Sequence, residues 1–308
     1  MKSSSKRKNK FLLSPIIIGI VLWVLFAFSC IPVSVFKITY VHILLLAAPL
    51  FLIPTVWIQD FPEIFIPKWA QLLVLPLALV LAAAFLLPTG VLAALLALPW
   101  LLLCVAVSVD QIVKFIISAQ RNIATICILM AFVYLPVGAA WAFADRLAFY
   151  PFDFPPTITL LTAAHFHYAG FLLPIIAGLI LQQFHNNIIS KVIGWGVILG
   201  IPLVAIGITT SHFQLPELIE VFAVTTMASA GASIGILHIV LGWKHRQQIF
   251  GWLWILAGMA LLGGMTLAFL YGWRYYYPIP SLTIPWMYAL HGTSVSYTHL
   301  TLPTTPYL

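Results

Sequence analysis

The chain has 308 residues, of which 63% are hydrophobic and only 7% are charged, and its formal net charge is +7. A soluble domain carries about a quarter charged residues, so this composition excludes a water-soluble globular protein and predicts an integral membrane protein. The positive charge does not indicate a nucleic-acid partner, because much of it precedes the first apolar segment, on Lys2, Lys6, Arg7, Lys8 and Lys10. The predicted surroundings are therefore a lipid bilayer.

Apolar segments long enough to cross a bilayer core of about 30 Å follow one another along the chain. Nine can be placed, at 12–33, 39–58, 69–88, 90–109, 123–144, 157–181, 191–210, 217–242 and 249–272. A tenth begins near Ile279. The predicted fold is all-α, a polytopic transmembrane helix bundle with nine complete spans and a truncated tenth. Residues 1–11 form a basic N-terminus and residues 12–294 the transmembrane domain.

The distribution of lysine and arginine predicts the orientation of these spans. If the N-terminus is cytoplasmic, alternation places eleven of the 14 basic residues inside and leaves Lys37, Arg146 and Arg274 outside. Cytoplasmic loops carry the excess of positive charge in membrane proteins. The sequence therefore predicts a multi-pass protein of the cytoplasmic membrane with its N-terminus inside.

The final stretch, "SVSYTHLTLPTTPYL" at 294–308, does not continue the pattern before it. It is similar to the translation of a transposase adapter used in sequencing libraries. We therefore expect residues 295–308 not to be native and the tenth span to be truncated.

Ionisable and polar side chains inside the spans are the candidate functional residues, because they are costly in a bilayer and usually mark function. The sixth span contains "LTAAHFHYAGF" at 161–171, with His165, His167 and Tyr168. Helical rise and the predicted topology place His42, Glu220 and His291 in the same outer half of the membrane. These three form one polar layer with His165 and His167 if their helices are neighbours. Thr225 and Thr226, on the same span as Glu220, are further candidates.

The spacing of the two histidines restricts their chemistry. Residues two apart on a regular helix point about 200° apart, so His165 and His167 cannot both face one small metal ion. Two interpretations remain open. The imidazoles serve different partners on opposite sides of one helix, or the helix is distorted near Gly170 or Pro174.

Three features together resemble the YndJ-like family of bacterial membrane proteins over most of 1–294. They are the His-Phe-His helix, the "E-x-x-x-x-TT" pattern of Glu220, Thr225 and Thr226, and the final "MYALHG" with His291. The resemblance implies a multi-pass membrane protein, and the family is sometimes labelled a transporter.

A shorter stretch, "AHFHY", is similar to the haem-ligating helix of haem–copper oxidase subunits. That resemblance implies haem ligation by His165 and His167, with His42 or His291 as an opposite ligand. The copper-site motifs of that family, adjacent histidines and a His-Pro-Glu-Val-Tyr segment, do not occur in this sequence. A full terminal oxidase is therefore excluded, and a simpler haem protein remains an alternative.

Three functions are compatible with these residues. The first is a transporter-like protein in which His165, His167 and Glu220 bind a small molecule or ion or relay protons. The second is a haem- or metal-binding redox protein that uses His165 and His167. The third is a non-catalytic membrane partner whose histidines fasten helix packing. No catalytic residue is predicted, since the sequence has no nucleophile–base pairing, phosphate-binding loop or cysteine cluster, and the oligomeric state is left open.

Overall fold

The computed structural model of the chain describes residues 3–28, 39–58, 61, 64–184 and 187–295. These residues are helical and contain no β-strand, which confirms the predicted all-α fold. Part of the first predicted span (29–33) and residues 296–308 of the predicted adapter-derived segment lie outside the described residues.

The helices follow the hydropathy pattern closely. We number them in chain order as α1 (Ser3–Phe28), α2 (Tyr40–Ile58), α3 (Lys68–Leu86), α4 (Val91–Ile117), α5 (Ile123–Arg146), α6 (Pro156–Gln182), α7 (Ile188–His212), α8 (Leu218–Lys244), α9 (Ile249–Gly272) and α10, which starts with Ile284–Trp286 and continues through Met287–His291. The helices α2 to α9 are each long and apolar enough to cross a membrane. The apolar part of α1, Pro15–Phe28, is shorter. The chain is therefore a multi-pass membrane protein, and its orientation stays a prediction.

The fourth span extends further than its hydropathy indicates. The polar stretch "VDQIVKFIISAQRN" at 109–122 predicts a separate surface helix, with a linker as the alternative, but α4 continues without a break to Ile117. The segment contains no glycine or proline after Pro99 that would end the helix. Two polar side chains, Asp110 and Gln111, are joined by a 3.0 Å hydrogen bond, and Gln111 also donates to the Phe65 carbonyl at 2.9 Å.

The chain divides into two compact units. The first contains Met1–Gln111 and Leu135–His167, and the second contains Ile112–Tyr134 and Tyr168–Leu308. His42, His165 and His167 therefore belong to the first unit, whereas Tyr168, Glu220, Thr225, Thr226 and His291 belong to the second. Each unit is described by itself below.

Within the described residues, three helices contain π-helical segments, at Ala48–Leu52 in α2, Phe166–Leu172 in α6 and Met287–His291 in α10. The first segment contains Pro49 and the second ends two residues before Pro174, and proline lacks the N–H needed for the regular helical ladder. Pro285 lies two residues before the third segment, but in the first turn of its helix, where no ladder hydrogen bond is lost. In α2 the Thr55 hydroxyl donates to the Phe51 carbonyl at 2.6 Å, as side chains do where a membrane helix is distorted. The π-helical segments of α6 and α10 contain His167 and His291, and such segments are frequent at functional sites.

Candidate functional site

His167 is fully buried in the first unit and is bonded through both ring nitrogens. The Trp100 indole N–H donates to its Nε2 at 3.2 Å, and its Nδ1 lies 2.7 Å from the Ala163 carbonyl oxygen. An indole N–H can only donate, so Nε2 accepts and Nδ1 carries the ring proton. The side chain is thus held as a neutral imidazole, with its ring almost parallel to that of Trp100 (interplanar angle 21°).

The distortion of α6 begins between the two histidines. His165 is the last residue of the regular helical segment, and the π-helical segment starts at Phe166. This confirms the second interpretation of the His-Phe-His spacing, a distorted helix. A haem iron could bind His167 only after the hydrogen bond to Trp100 or to Ala163 had been given up. Among the described residues, no group of three or more His, Cys, Asp or Glu side chains is arranged to hold a metal ion.

His42 lies in the first turn of α2 and takes part in the capping of that helix. Its Nδ1 accepts the Thr39 backbone N–H at 3.0 Å and lies 2.8 Å from the Thr39 hydroxyl. Its ring meets the edge of Phe85 on α3 at a centroid distance of 5.4 Å. The residue therefore closes the start of a span, as a capping side chain does.

A buried ion pair also contacts Phe85. Arg146 donates to the Asp145 carboxylate at 2.8 Å and 2.5 Å, and the two side chains are 6% and 2% exposed. The guanidinium also covers the Phe85 ring at 4.3 Å and donates to the Leu87 carbonyl at 3.3 Å, beyond the last turn of α3. Arg146, which the sequence places in an outer loop, instead joins the end of α5 to the end of α3.

The second unit contains a larger polar cluster, formed by Ser211, Glu220, Arg274 and Tyr275, which we call the Glu220 cluster. Arg274 donates hydrogen bonds to both carboxylate oxygens of Glu220, at 2.7 Å and 3.2 Å. The Tyr275 hydroxyl donates to Glu220 Oε2 at 2.8 Å, and the Ser211 hydroxyl donates to the same oxygen. The cluster joins the end of α7, the first turn of α8 and the turn after α9.

The backbone geometry of α7 makes this cluster possible. A Cβ at Gly207 would lie 2.9 Å from the Glu220 Cα, so glycine lets α7 and α8 approach closely at this level. Aromatic rings also surround Arg274, because its guanidinium lies 4.2 Å from the ring centres of Tyr271 and Tyr275. The carboxylate is therefore enclosed between two spans and an aromatic turn.

The remaining candidates lie at other positions in the second unit. Thr225 accepts a 3.0 Å hydrogen bond from the Trp273 indole, whereas the Thr226 hydroxyl donates to its own helix at the Phe222 carbonyl. His291 Nδ1 lies 2.7 Å from the Gly264 carbonyl oxygen. Gly264 lies about 12 Å before the end of α9 at Gly272, and Arg274 lies in the turn beyond that end, so His291 and Glu220 have their partners at different levels. Whether the candidates of the two units share one layer stays a prediction.

Comparison with known proteins decides the family. The family model described as "YndJ-like protein" matches residues 42–296, most of the chain. The chain belongs to the YndJ-like family. This confirms the resemblance carried by the His-Phe-His helix, the Glu220 span and the late histidine.

A curated relative of this YndJ-like protein is the "Uncharacterized membrane protein YndJ" of Bacillus subtilis (strain 168). The two are 28% identical over 197 residues, which are 64% of this chain and 35% of the relative. The chain thus spans about a third of the length of the curated relative it matches. No solved structure matches the chain.

Sequence reasoning missed several residues of this YndJ-like protein's polar clusters. The lysine and arginine count assigned Arg146 and Arg274 only to the outside. Tyr275, Trp100 and Ser211 were not among the candidates, because nothing distinguishes them from the many aromatic and small residues around them. The acidic residues did indicate where the polar clusters lie. Few acidic residues lie close to a span, and two of them, Asp145 and Glu220, each have an arginine partner in the structure.

A glycine-to-alanine substitution tests the His167 packing in this YndJ-like protein. A Cβ at Gly138 on α5 would lie 2.8 Å from His167 Nδ1 and 3.1 Å from the Phe166 Cβ. We expect Gly138→Ala to lower the free energy of unfolding by about 1–3 kcal/mol, because the core must be overpacked. Gly263→Ala is the matched control, since a Cβ there meets nothing within 4 Å. Thermal unfolding in detergent should separate the two variants, and equal midpoints would contradict the close approach of Gly138 to His167.

Proposed function

We propose that this protein is transporter-like and that the Glu220 cluster is where it handles its substrate or protons. One observation carries the proposal. The Glu220 carboxylate, at the start of a span, is only 4% exposed, whereas its partner Arg274 is 28% exposed. Ionisable groups at membrane depth are expensive and by default belong to a substrate or proton pathway.

The chemistry of the pair supports two states. An ionised Glu220 binds Arg274 through two hydrogen bonds. This is the bidentate geometry that a guanidinium and a carboxylate prefer. A protonated Glu220 is neutral and releases the guanidinium, which keeps its own charge because arginine does not lose a proton in proteins. Glu220 is thus the group that takes up and releases the proton, and Arg274 is its electrostatic partner.

Proton flux tests this role without knowledge of the solute. The full chain is reconstituted into liposomes that contain a pH-sensitive dye, and a pH gradient is imposed. We expect the wild type to dissipate the gradient and Glu220→Gln to reduce the rate to that of empty liposomes. Glu217→Gln is the matched control, because Glu217 is exposed at the N-cap of the same helix and has no side-chain capping bond. Wild-type flux in Glu220→Gln would overturn the proposal, as would a wild-type rate no faster than empty liposomes.

A second candidate function is a non-catalytic membrane partner. The specific observation that favours it is the complete bonding of His167, whose two ring nitrogens are occupied by Trp100 and Ala163. Histidines of this kind stabilise helix packing. Glu220→Gln with unchanged flux, together with a lowered thermal midpoint in His167→Gln, would favour this function over transport.

The proposal includes the cytoplasmic membrane as location and a cytoplasmic N-terminus. Two of the three basic residues assigned outside, Arg146 and Arg274, each pair with a carboxylate. The orientation itself rests on the count of lysine and arginine residues, eleven of which it assigns to the inside. A membrane-impermeant maleimide should label Glu217→Cys from outside intact cells, and labelling only after the cells are opened would reverse the orientation.

A further inference from the structure

The Glu220 carboxylate lies among a set of donors suited to any carboxylate. The two terminal guanidinium nitrogens of Arg274 donate to the two carboxylate oxygens at 2.7 Å and 3.2 Å, and the Tyr275 hydroxyl donates to one of these oxygens at 2.8 Å. Ser211 adds a further donor to that oxygen. None of these donors lies on α8, the helix that carries Glu220. The donors therefore form a receptor that is occupied by a side chain of the protein itself.

The receptor is open on the side of its donors. Arg274 is 28% exposed and Tyr275 is 39% exposed, whereas the Glu220 side chain behind them is 4% exposed. Both donors follow the end of α9 at Gly272 and lie in a turn rather than in a helix. A solute that arrives from this side meets Arg274 and Tyr275 before it meets Glu220.

Both donors keep their protons at neutral pH. Burial lowers the pKa of Arg274, but the hydrogen bond to Glu220 and its negative charge outweigh that effect and leave the pKa above its usual value. Burial raises the pKa of the Tyr275 phenol, and the Glu220 carboxylate raises it further. The guanidinium and the phenol thus remain able to donate to an anion when Glu220 is displaced.

We propose that the substrate of the Glu220 cluster is a small monocarboxylate, which replaces the Glu220 carboxylate on Arg274 and Tyr275 while Glu220 takes up a proton. This inference rests on the proposed transporter-like function and names its substrate class. The substrate and Glu220 both offer a carboxylate, and one carboxylate replaces the other on the same donors.

Charge balance selects a monoanion together with one proton. Before the exchange, the negative Glu220 and the positive Arg274 sum to zero. After it, Glu220 is neutral and the bound anion balances Arg274, so the cluster is neutral in both states. The other groups that interact with this pair are Tyr271, Tyr275 and Ser211, which are uncharged, and Glu217 on the same helix is exposed. A dianion would leave an unbalanced charge at the membrane boundary, which is costly.

Calorimetry with acetate on the full chain in detergent tests the exchange. Titrations at neutral pH in two buffers of different ionisation enthalpy give both the affinity and the number of protons taken up. We expect the wild type and Glu217→Gln to take up about one proton per acetate bound. We expect Glu220→Gln to bind acetate about tenfold tighter or more, because the competing carboxylate is gone, and to take up no proton. Arg274→Lys keeps the positive charge but cannot donate two parallel hydrogen bonds to one carboxylate, so its acetate affinity should fall.

Several results would overturn the proposal. They are acetate binding that is weaker in Glu220→Gln than in the wild type, proton uptake that persists in that variant, and sulfate binding as tight as acetate binding. The absence of acetate binding in both the wild type and Glu220→Gln would also overturn it. Proton flux separates the two proposals, since Glu220-dependent flux without acetate binding leaves the proposed function intact. Acetate binding without such flux would leave a carboxylate site on a protein that does not transport protons.

Discussion

Arg146→Gln is expected to lower the free energy of unfolding by about 3–5 kcal/mol, because it leaves a buried carboxylate without its cation. Asp145 is 2% exposed on its side chain, so water cannot replace the guanidinium. The substitution also removes the contact with the Phe85 ring and the hydrogen bond to the Leu87 carbonyl. Thermal and denaturant unfolding of the full chain in detergent measures the loss.

The control for this prediction is Arg246→Gln. Arg246 also lies over an aromatic ring, that of Trp243 at 4.9 Å, and donates to the Trp243 carbonyl at 3.0 Å, but it is exposed. Its removal should change the stability by about 0.5 kcal/mol or less. The double variant Asp145→Asn/Arg146→Gln should recover part of the loss, since it leaves no buried charge. Equal stability of the Arg146 and Arg246 variants would contradict the buried pair.

Arg274→Gln is expected to destabilise the protein more than Glu220→Gln does, although both remove the same ion pair. Without Arg274, the Glu220 carboxylate is left 4% exposed in its side chain and without a cation, which costs about 3–5 kcal/mol, towards the lower end because Arg274 is partly exposed. Without the carboxylate, Arg274 turns to solvent and the glutamine amide can still accept from Ser211 and Tyr275, so the loss is about 1–2 kcal/mol.

A double-mutant cycle of these two residues measures the asymmetry. The double variant should be more stable than Arg274→Gln alone, because the unpaired carboxylate is then absent. Glu217→Gln, on the exposed face of the same helix turn, should behave as the wild type. The prediction fails if Glu220→Gln is as destabilising as Arg274→Gln, or if the double variant shows simple additivity.

Hydropathy was a reliable guide to the helices because it depends only on local composition. The structure contains helices at all the predicted spans that lie within the described residues, and α4 extends beyond its apolar window because no residue there ends a helix. The distortion of α6 was one of two interpretations of the His165 and His167 spacing, and Pro174 made it predictable. The distortion of α10 at His291 was not predicted.

The polar clusters were less accessible to sequence reasoning, because their members are far apart in the chain. Glu220 and Arg274 are separated by 54 positions, and Trp100 and His167 by 67. Depth estimates placed Glu220 and His291 in similar layers, but His291 contacts α9 at Gly264, whereas the partner of Glu220, Arg274, lies in the turn beyond the end of α9. A count of loop charges treated Arg146 and Arg274 as free cations, whereas both are paired.

The sequence by itself determined that this is a multi-pass helical membrane protein, since a chain with 7% charged residues cannot cover a water-facing surface. Its motifs also pointed to the YndJ-like family, which the family match over residues 42–296 confirmed. Only the tertiary structure decided which polar side chains meet. It joined His167 to Trp100, Asp145 and Arg146 to the end of α3, and Glu220 to Ser211, Arg274 and Tyr275. The physical reason is that membrane insertion depends on the sum of local hydrophobicity, whereas an ion pair depends on distances between side chains that only helix packing sets.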